Sequence, residues 1–127
     1  MSRKHIELGE FGEQLALEFL SSKGYKIIER NYKSKLGEID IVAKDKKTIC
    51  FIEVKTRSSL EKGLPQESIT MRKQHQISKA ALSYLKLKGL INSKARFDVV
   101  SIVKSDDVAP CIDLIKNAFE QDKRYSY

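Results

Sequence analysis

The segment from Thr48 to Thr56 constrains this chain most. Its Ile49-Cys50-Phe51-Ile52-Glu53-Val54-Lys55 run reads as a strand with apolar residues on both faces. Cys50, Ile52 and Val54 line one face; Ile49, Phe51, Glu53 and Lys55 line the other. A strand of that kind lies inside a sheet with other layers packed over it. The same strand carries a carboxylate and an ammonium, for which burial is costly. Glu53 and Lys55 stand roughly 6–7 Å apart by strand rise. Taken alone, the pair is explained by a salt bridge at a strand end.

The remaining elements follow from periodicity. From about Glu7 to Ser22, Leu8, Phe11, Leu15, Phe19 and Leu20 recur at helical spacing, and Gly24 ends the helix. Tyr25–Tyr32 and Glu38–Lys44 read as the first two strands. Thr70–Lys88 is a second helix, with Ile77, Ala80, Ala81, Tyr84 and Leu85 on one face and Gly89 after it. Phe97–Val103 and Cys111–Lys116 complete the set. The order α-β-β-β-α-β-β predicts an α/β domain with helices on a mixed central sheet. The helical crossover makes the third and fourth strands a parallel pair. A length of 127 residues is one domain, 1–127, with a core over about 8–119. Ser58–Ser68 reads as a mobile loop and 120–127 as a short tail.

Charge narrows the partners. The net charge is +7 at a pI near 9.4, which favours something polyanionic. With 6 Gly and 2 Pro, collagen-like and low-complexity classes are excluded. Cys50 and Cys111 sit in apolar contexts and read as buried thiols of a reducing cytoplasm. The scattered Cys and His do not form a zinc pattern. The N-terminus lacks a signal-peptide pattern, and no apolar run reaches the roughly 18 residues of a membrane span. The expectation is a cytoplasmic protein with no membrane partner.

The second strand sharpens the site. Asp is disfavoured within strands, yet Asp40 lies between Ile39 and Ile41. If Lys44 pairs with Ile49, Asp40 falls opposite Glu53; a turn at Asp45-Lys46 would place it diagonally. Either register puts Asp40, Glu53 and Lys55 on one face. Two apposed carboxylates repel unless one is protonated or a cation lies between them. Mg²⁺ or Mn²⁺ is the hard cation that suits oxygen ligands. Lys55 beside it would orient water or neutralise a phosphate.

Other residues converge on this region. On a helical wheel Glu13 falls at the edge of the first helix's apolar arc, as a cleft residue or an ordinary boundary glutamate. Gly9 and Gly12 lower that helix's propensity, and close approach of another segment would explain them. Thr70, Lys73 and Gln74 extend the apolar stripe of the second helix as polar residues. They suit phosphate binding, or Thr70 simply caps the helix. Asp98 pairs with Arg57 or Arg96, or supports the site; Glu38 is a second supporting candidate.

Asp40, twelve intervening residues and Glu53-Val54-Lys55 resemble the PD-(D/E)XK nuclease motif, with Ile39 where its proline stands. Gly9-Glu10-Phe11-Gly12-Glu13-Gln14-Leu15-Ala16, Gly24-Tyr25 and Arg30-Asn31-Tyr32 narrow the likeness. So do Gly37-Glu38-Ile39-Asp40, Phe51–Arg57, Lys73-Gln74 and Arg96–Val100. Together, over about residues 8–119, they resemble the YraN-type family of small bacterial proteins, related to archaeal Holliday junction resolvases. The resemblance implies a restriction-endonuclease-like fold. It implies a site of Glu13, Asp40, Glu53 and Lys55, with the Val54 carbonyl as a further metal ligand. It also implies a homodimer acting on branched DNA.

The function expected is metal-dependent hydrolysis of DNA phosphodiesters. Asp40 and Glu53 hold Mg²⁺ or Mn²⁺, Lys55 positions water and phosphate, and Glu13 completes the set. Arg57, Lys73 and Gln74 contact substrate, and basic residues around the first strand (Lys23, Lys26, Arg30, Lys33, Lys35) offer a phosphate-tracking face. The rivals are a non-catalytic nucleic-acid-binding module and a structural protein with a buried Asp-Glu-Lys triad.

Overall fold

The computed structural model describes residues 3–58, 69–106 and 108–120, with side chains from Gly9 onward. The loop expected over 58–68 and the tail fall, apart from Ser58 and Glu120, outside the described residues. The elements are α1 (Arg3–Ser22), β1 (Lys26–Ser34), β2 (Gly37–Asp45), β3 (Thr48–Ser58), α2 (Met71–Leu87), β4 (Ala95–Lys104) and β5 (Cys111–Phe119). Their order is the α-β-β-β-α-β-β read from periodicity.

The five strands form one sheet in the order β1-β2-β3-β4-β5. β3 pairs in parallel with β4, and the other neighbours are antiparallel. The doubly apolar strand is thus the middle one. One cluster joins Ile49, Phe51, Ile39, Val42, Phe97 and Val99 to Ile77, Ala81, Tyr84 and Leu85 of α2. The other joins Cys50, Ile52, Ile41, Ala43, Val100 and Ile102 to Ala16 and Leu20 of α1. The helices therefore cover opposite faces, as a sheet with two apolar faces requires. Tyr84 anchors its side edge-on to Tyr32 and Phe51, with ring centroids 5.2 and 5.8 Å away. Among the described residues no helix is long and apolar enough to cross a membrane.

The β2–β3 hairpin settles its register. Lys44 pairs with Ile49 and Asp45 with Thr48, so Lys46-Lys47 forms the turn, with Lys46 at φ 58. Positive φ at the first turn residue is what a tight hairpin demands. Of the two registers open to the sequence, this one sets Asp40 opposite Glu53.

Three expectations need correction. Cys111 is exposed at the start of the outer strand β5; only Cys50 is buried. Strand β5 runs past Lys116 to Phe119, because Ile115, Ala118 and Phe119 pack on the α2-side cluster. Asn117, at φ 53, interrupts the alternation that would have revealed this. Of the two helix glycines only Gly12 is explained by close approach: a Cβ there would collide with Thr56 Oγ1, whereas one on Gly9 would meet nothing within 4 Å among the described residues.

Candidate active site

The site forms where the central sheet opens. The β2–β3 pairing stops at Ile41–Ile52, while β3 continues beside β4 as far as Ser58–Lys104. Beyond Ile52, β3 therefore has no strand paired on its β2 side among the described residues. Asp40 fills the first vacancy: its Oδ2 accepts the Val54 N–H at 2.8 Å. In an extended strand the N–H and C=O of one residue point the same way, and the next residue's point oppositely. Ile49 donates toward the β4 side, to Lys94 O at 2.9 Å, which confirms the alternation. The Val54 carbonyl thus also faces the gap.

This geometry revises one sequence expectation. Asp40 does not stand on a face with Glu53 and Lys55. A carboxylate that accepts a strand N–H lies close to the plane of the sheet. The cause is local: Ile39 packs on the α2 side and Ile41 on the α1 side, so β2 twists through Asp40. Asn31, opposite Asp40 in the β1 register, takes φ 51 at the same point.

Both helices send a residue to the gap. Lys73, in the first turn of α2, places Nζ 3.6 Å from Glu53 Oε1, and the Glu53 side chain is 11% exposed. Thr70 caps that helix through the Lys73 N–H at 3.1 Å, so the cap and the site-directed lysine coexist. Glu13 follows Gly12, the point where α1 meets Thr56 of β3. Its Oε1 is buried and accepts no hydrogen bond among the described residues; Arg30 Nη2, at 3.9 Å, is too far to donate one.

Charge is under stress here. Burial raises the Glu53 carboxyl to about 8; the adjacent Asp40 adds to the rise and Lys73 opposes it. The two carboxyls are near enough for each to resist the other's ionisation. Asp40 is raised as well, first by burial; the Val54 N–H and Lys73 oppose this, and Glu13 and Glu38 reinforce it. Coupled carboxyls of this kind are a mark of functional sites.

The other expected residues divide. Lys55 is half-buried, two residues beyond Glu53 on β3, beside Ser101 of β4. Arg57 is half-buried further along, beside Val103. Glu38 is exposed and acts on Asp40 only through its charge. Gln74 turns its amide to Ile69 O at 3.0 Å. Asp98 lies fully buried, and both its oxygens accept from Arg96 Nε, at 3.0 and 3.1 Å, with Asn117 N–H also on Oδ1. Arg96 in turn binds Tyr25 Oη and Asp45 Oδ2 at 2.7 and 2.8 Å. Of the partners considered for Asp98, Arg96 is the one found, in a structural network. Its signal in the sequence was the spacing of Arg96 and Asp98, two apart on one strand face.

Does this donor set suit a cation? Among the described residues no three His, Cys, Asp or Glu side chains gather as a metal cage. A hard divalent ion does not need one, since Mg²⁺ is often held by one or two carboxylates with water completing its shell. Asp40, Glu53 and the Val54 carbonyl supply such a set. The Glu13 Oε1, paired with Arg30 at 3.9 Å but accepting no hydrogen bond among the described residues, is a buried acceptor that a cation, or water bound to it, would satisfy. The residues fit.

The five-stranded mixed sheet, its two helices and their order define a restriction-endonuclease-like α/β protein. The profile of the uncharacterised protein family UPF0102 matches residues 12–102, and the chain belongs to that family. A UPF0102 protein of Trichlorobacter lovleyi is 51% identical over 114 residues, covering 89% of this chain and 90% of the relative. One from Chlorobium phaeobacteroides is 56% identical over 103 residues, 81% of each chain. One from Caldicellulosiruptor saccharolyticus is 48% identical over 116 residues, 89% of this chain and 97% of the relative.

Proposed function

We propose that the protein is a metal-dependent DNA endonuclease hydrolysing phosphodiesters in branched or damaged DNA. One observation carries the reading: two mutually stressed carboxyls and a strand carbonyl meet where the sheet gives up its ladder. Asp40, Glu53 and the Val54 carbonyl would hold Mg²⁺ or Mn²⁺. When bound, that ion polarises phosphoryl oxygens and acidifies water. Lys55 orients the attacking water and offsets charge on the phosphate. Hydrolysis forms one phosphorus–oxygen bond from water and breaks the ester bond, whose oxygen leaves with a proton. Glu13 accepts from water in the cleft through its open Oε1. Lys73 shifts its charge between Glu53 and incoming phosphate, and Arg57 and Gln74 border that path. A homodimer would bring two such sites to two strands.

A non-catalytic nucleic-acid-binding module is the second reading. The Lys73–Glu53 ion pair favours it, since a lysine already balances one carboxyl.

The test is incubation with four-way junction, flap, linear and single-stranded DNA, with Mg²⁺ or Mn²⁺ and with chelator. Asp40→Asn and Glu53→Gln proteins run in parallel. The expected result is metal-dependent cleavage abolished by either substitution. Cleavage that survives both would refute the assignment, and binding without cleavage would establish the module.

A further inference from the structure

The β1–β2 hairpin tip carries chemistry that the carboxylate site does not use. Lys33, Lys35 and Leu36 are exposed, and Leu36 remains 52% accessible at the tip. The tip is held firmly. Ser34 Oγ donates to Gly37 O and accepts the Leu36 N–H, at 3.2 and 3.1 Å. Gly37 lies so close to α2 that a Cβ there would come within 2.5 Å of Gln76 O.

Two grooves adjoin along this hairpin, and Leu36 borders both. One, of about 340 Å³, is lined mainly by polar and charged residues, with Lys33, Lys35 and Lys73 outnumbering the one acidic residue, Glu38. The other, of about 610 Å³, is mostly apolar, with Leu36, Leu82 and Leu87 beside Lys86. Leu87 is 71% exposed at the end of α2. Lys73 lines the polar groove and also pairs with Glu53, so the groove and the candidate site share that lysine.

A ligand that fills both grooves must present anionic groups on one side and flat apolar faces on the other. A polynucleotide with unpaired bases does so, whereas a duplex keeps its base faces stacked inside. We propose that this hairpin seats an unpaired segment of nucleic acid next to the cleavage site. Backbone phosphates lie in the Lys33–Lys35–Lys73 groove and unpaired bases rest on Leu36, Leu82 and Leu87. This rests on the nuclease reading and deepens it: the substrate is a nucleic acid with a single-stranded stretch beside the bond to be cut. The charge of +7 suits a polyanion, and the lysine shared with Glu53, where the phosphodiester would be cut, favours a nucleic acid over an acidic peptide.

The experiment is fluorescence anisotropy of the full chain in chelator, so that binding is read without cleavage. The probes are a short single strand, a blunt duplex of the same sequence, and that duplex with a single-stranded flap. Wild type should bind the strand and the flap more tightly than the blunt duplex. The Lys33→Gln/Lys35→Gln double variant should weaken single-strand binding about tenfold at low salt and lower the salt slope by about 1.4, from two phosphate contacts at ~0.7 each. Leu36→Ser with Leu87→Ser should weaken strand and flap about three- to tenfold and leave the duplex unchanged. These side chains are exposed, so unaltered thermal midpoints verify folding. Equal affinity for all three probes, unaffected by the leucine changes, overturns the assignment even if the protein cleaves DNA. So does a glutamate-rich amphipathic peptide that binds where no oligonucleotide does. If the strand preference and its loss hold but no DNA is cut with Mg²⁺, the nuclease reading fails and the hairpin remains a seat for single strands without a cleavage site beside it.

Discussion

Replacing Glu53 by Gln should stabilise the metal-free protein, and the gain should grow with pH. Burial lifts the Glu53 carboxyl from 4.5 to about 8, so the folded protein holds this proton when the unfolded chain has released it. A raised carboxyl contributes its full stability below pH 4.5 and loses it as the pH climbs toward 8. At about 1.4 kcal/mol per pH unit, the loss is under about 1 kcal/mol at pH 5 and about 3 kcal/mol at pH 7. These are ceilings, because the titration is shared with Asp40. Gln keeps the shape and hydrogen-bonding capacity without the charge, and the attraction of Lys73 is already contained in the raised carboxyl. Below those ceilings, the net gain is small at pH 5 and about 2 kcal/mol at pH 7. For a chain of this size that raises the thermal midpoint by about 5–8 °C. Differential scanning calorimetry of both proteins in chelator, from pH 5 to pH 8, provides the measurement. A midpoint difference that stays flat across this range, or a Gln variant less stable at pH 8, would refute the electrostatic account. Added Mn²⁺ should narrow the gap by stabilising the wild type alone.

Three further outcomes follow from the packing. Gly12→Ala should cost about 1–3 kcal/mol through its collision with Thr56, and Thr56→Ala in the same chain should recover part of that in a urea melt. Arg96→Met should cost about 3–5 kcal/mol by leaving the fully buried Asp98 charge without its partner. Adding Asp98→Asn should return much of it, and strict additivity of the two losses would refute the pairing. Iodoacetamide followed by mass spectrometry should modify exposed Cys111 and spare Cys50, which is buried and whose thiol burial pushes up to about 12. Equal labelling of the two in native protein would contradict the fold.

The parts of the fold that were legible in the sequence are those where periodicity and packing agree. β3 announced itself because two apolar faces leave a strand few places to lie. Of the two hairpin registers the sequence left open, the one that pairs Lys44 with Ile49 is found, and it runs as far as Ile41 and Ile52. Glu13 lay at the edge of its helical arc, where a cleft residue and an ordinary boundary glutamate read alike, and only the fold shows that its Oε1 is buried. Three-dimensional partners were harder to read. Lys73 looked like a substrate contact because only the fold shows that α2 begins beside Glu53. Cys111 looked buried because its neighbours Pro110 and Ile112 are apolar, while its own place at the start of an outer strand exposes it.

The orientation of Asp40 was the least accessible, and for a specific reason. Alternation puts residues 39 and 41 on the same face of an ideal strand, so Ile39 and Ile41 imply a strand with Asp40 aimed squarely at the other face. In the fold those isoleucines enter opposite cores, one under α2 and one under α1. A strand can serve both layers only by twisting between them, and the residue at the twist loses its regular pairing. An apolar side chain there would leave the Val54 N–H without an acceptor at the edge of the core, at a cost of about 1–3 kcal/mol. A short carboxylate can reach that N–H and still keep an oxygen for the gap. The residue that looks wrong for a strand therefore sits where the ladder must break, and the break is what exposes the Val54 carbonyl beside Glu53.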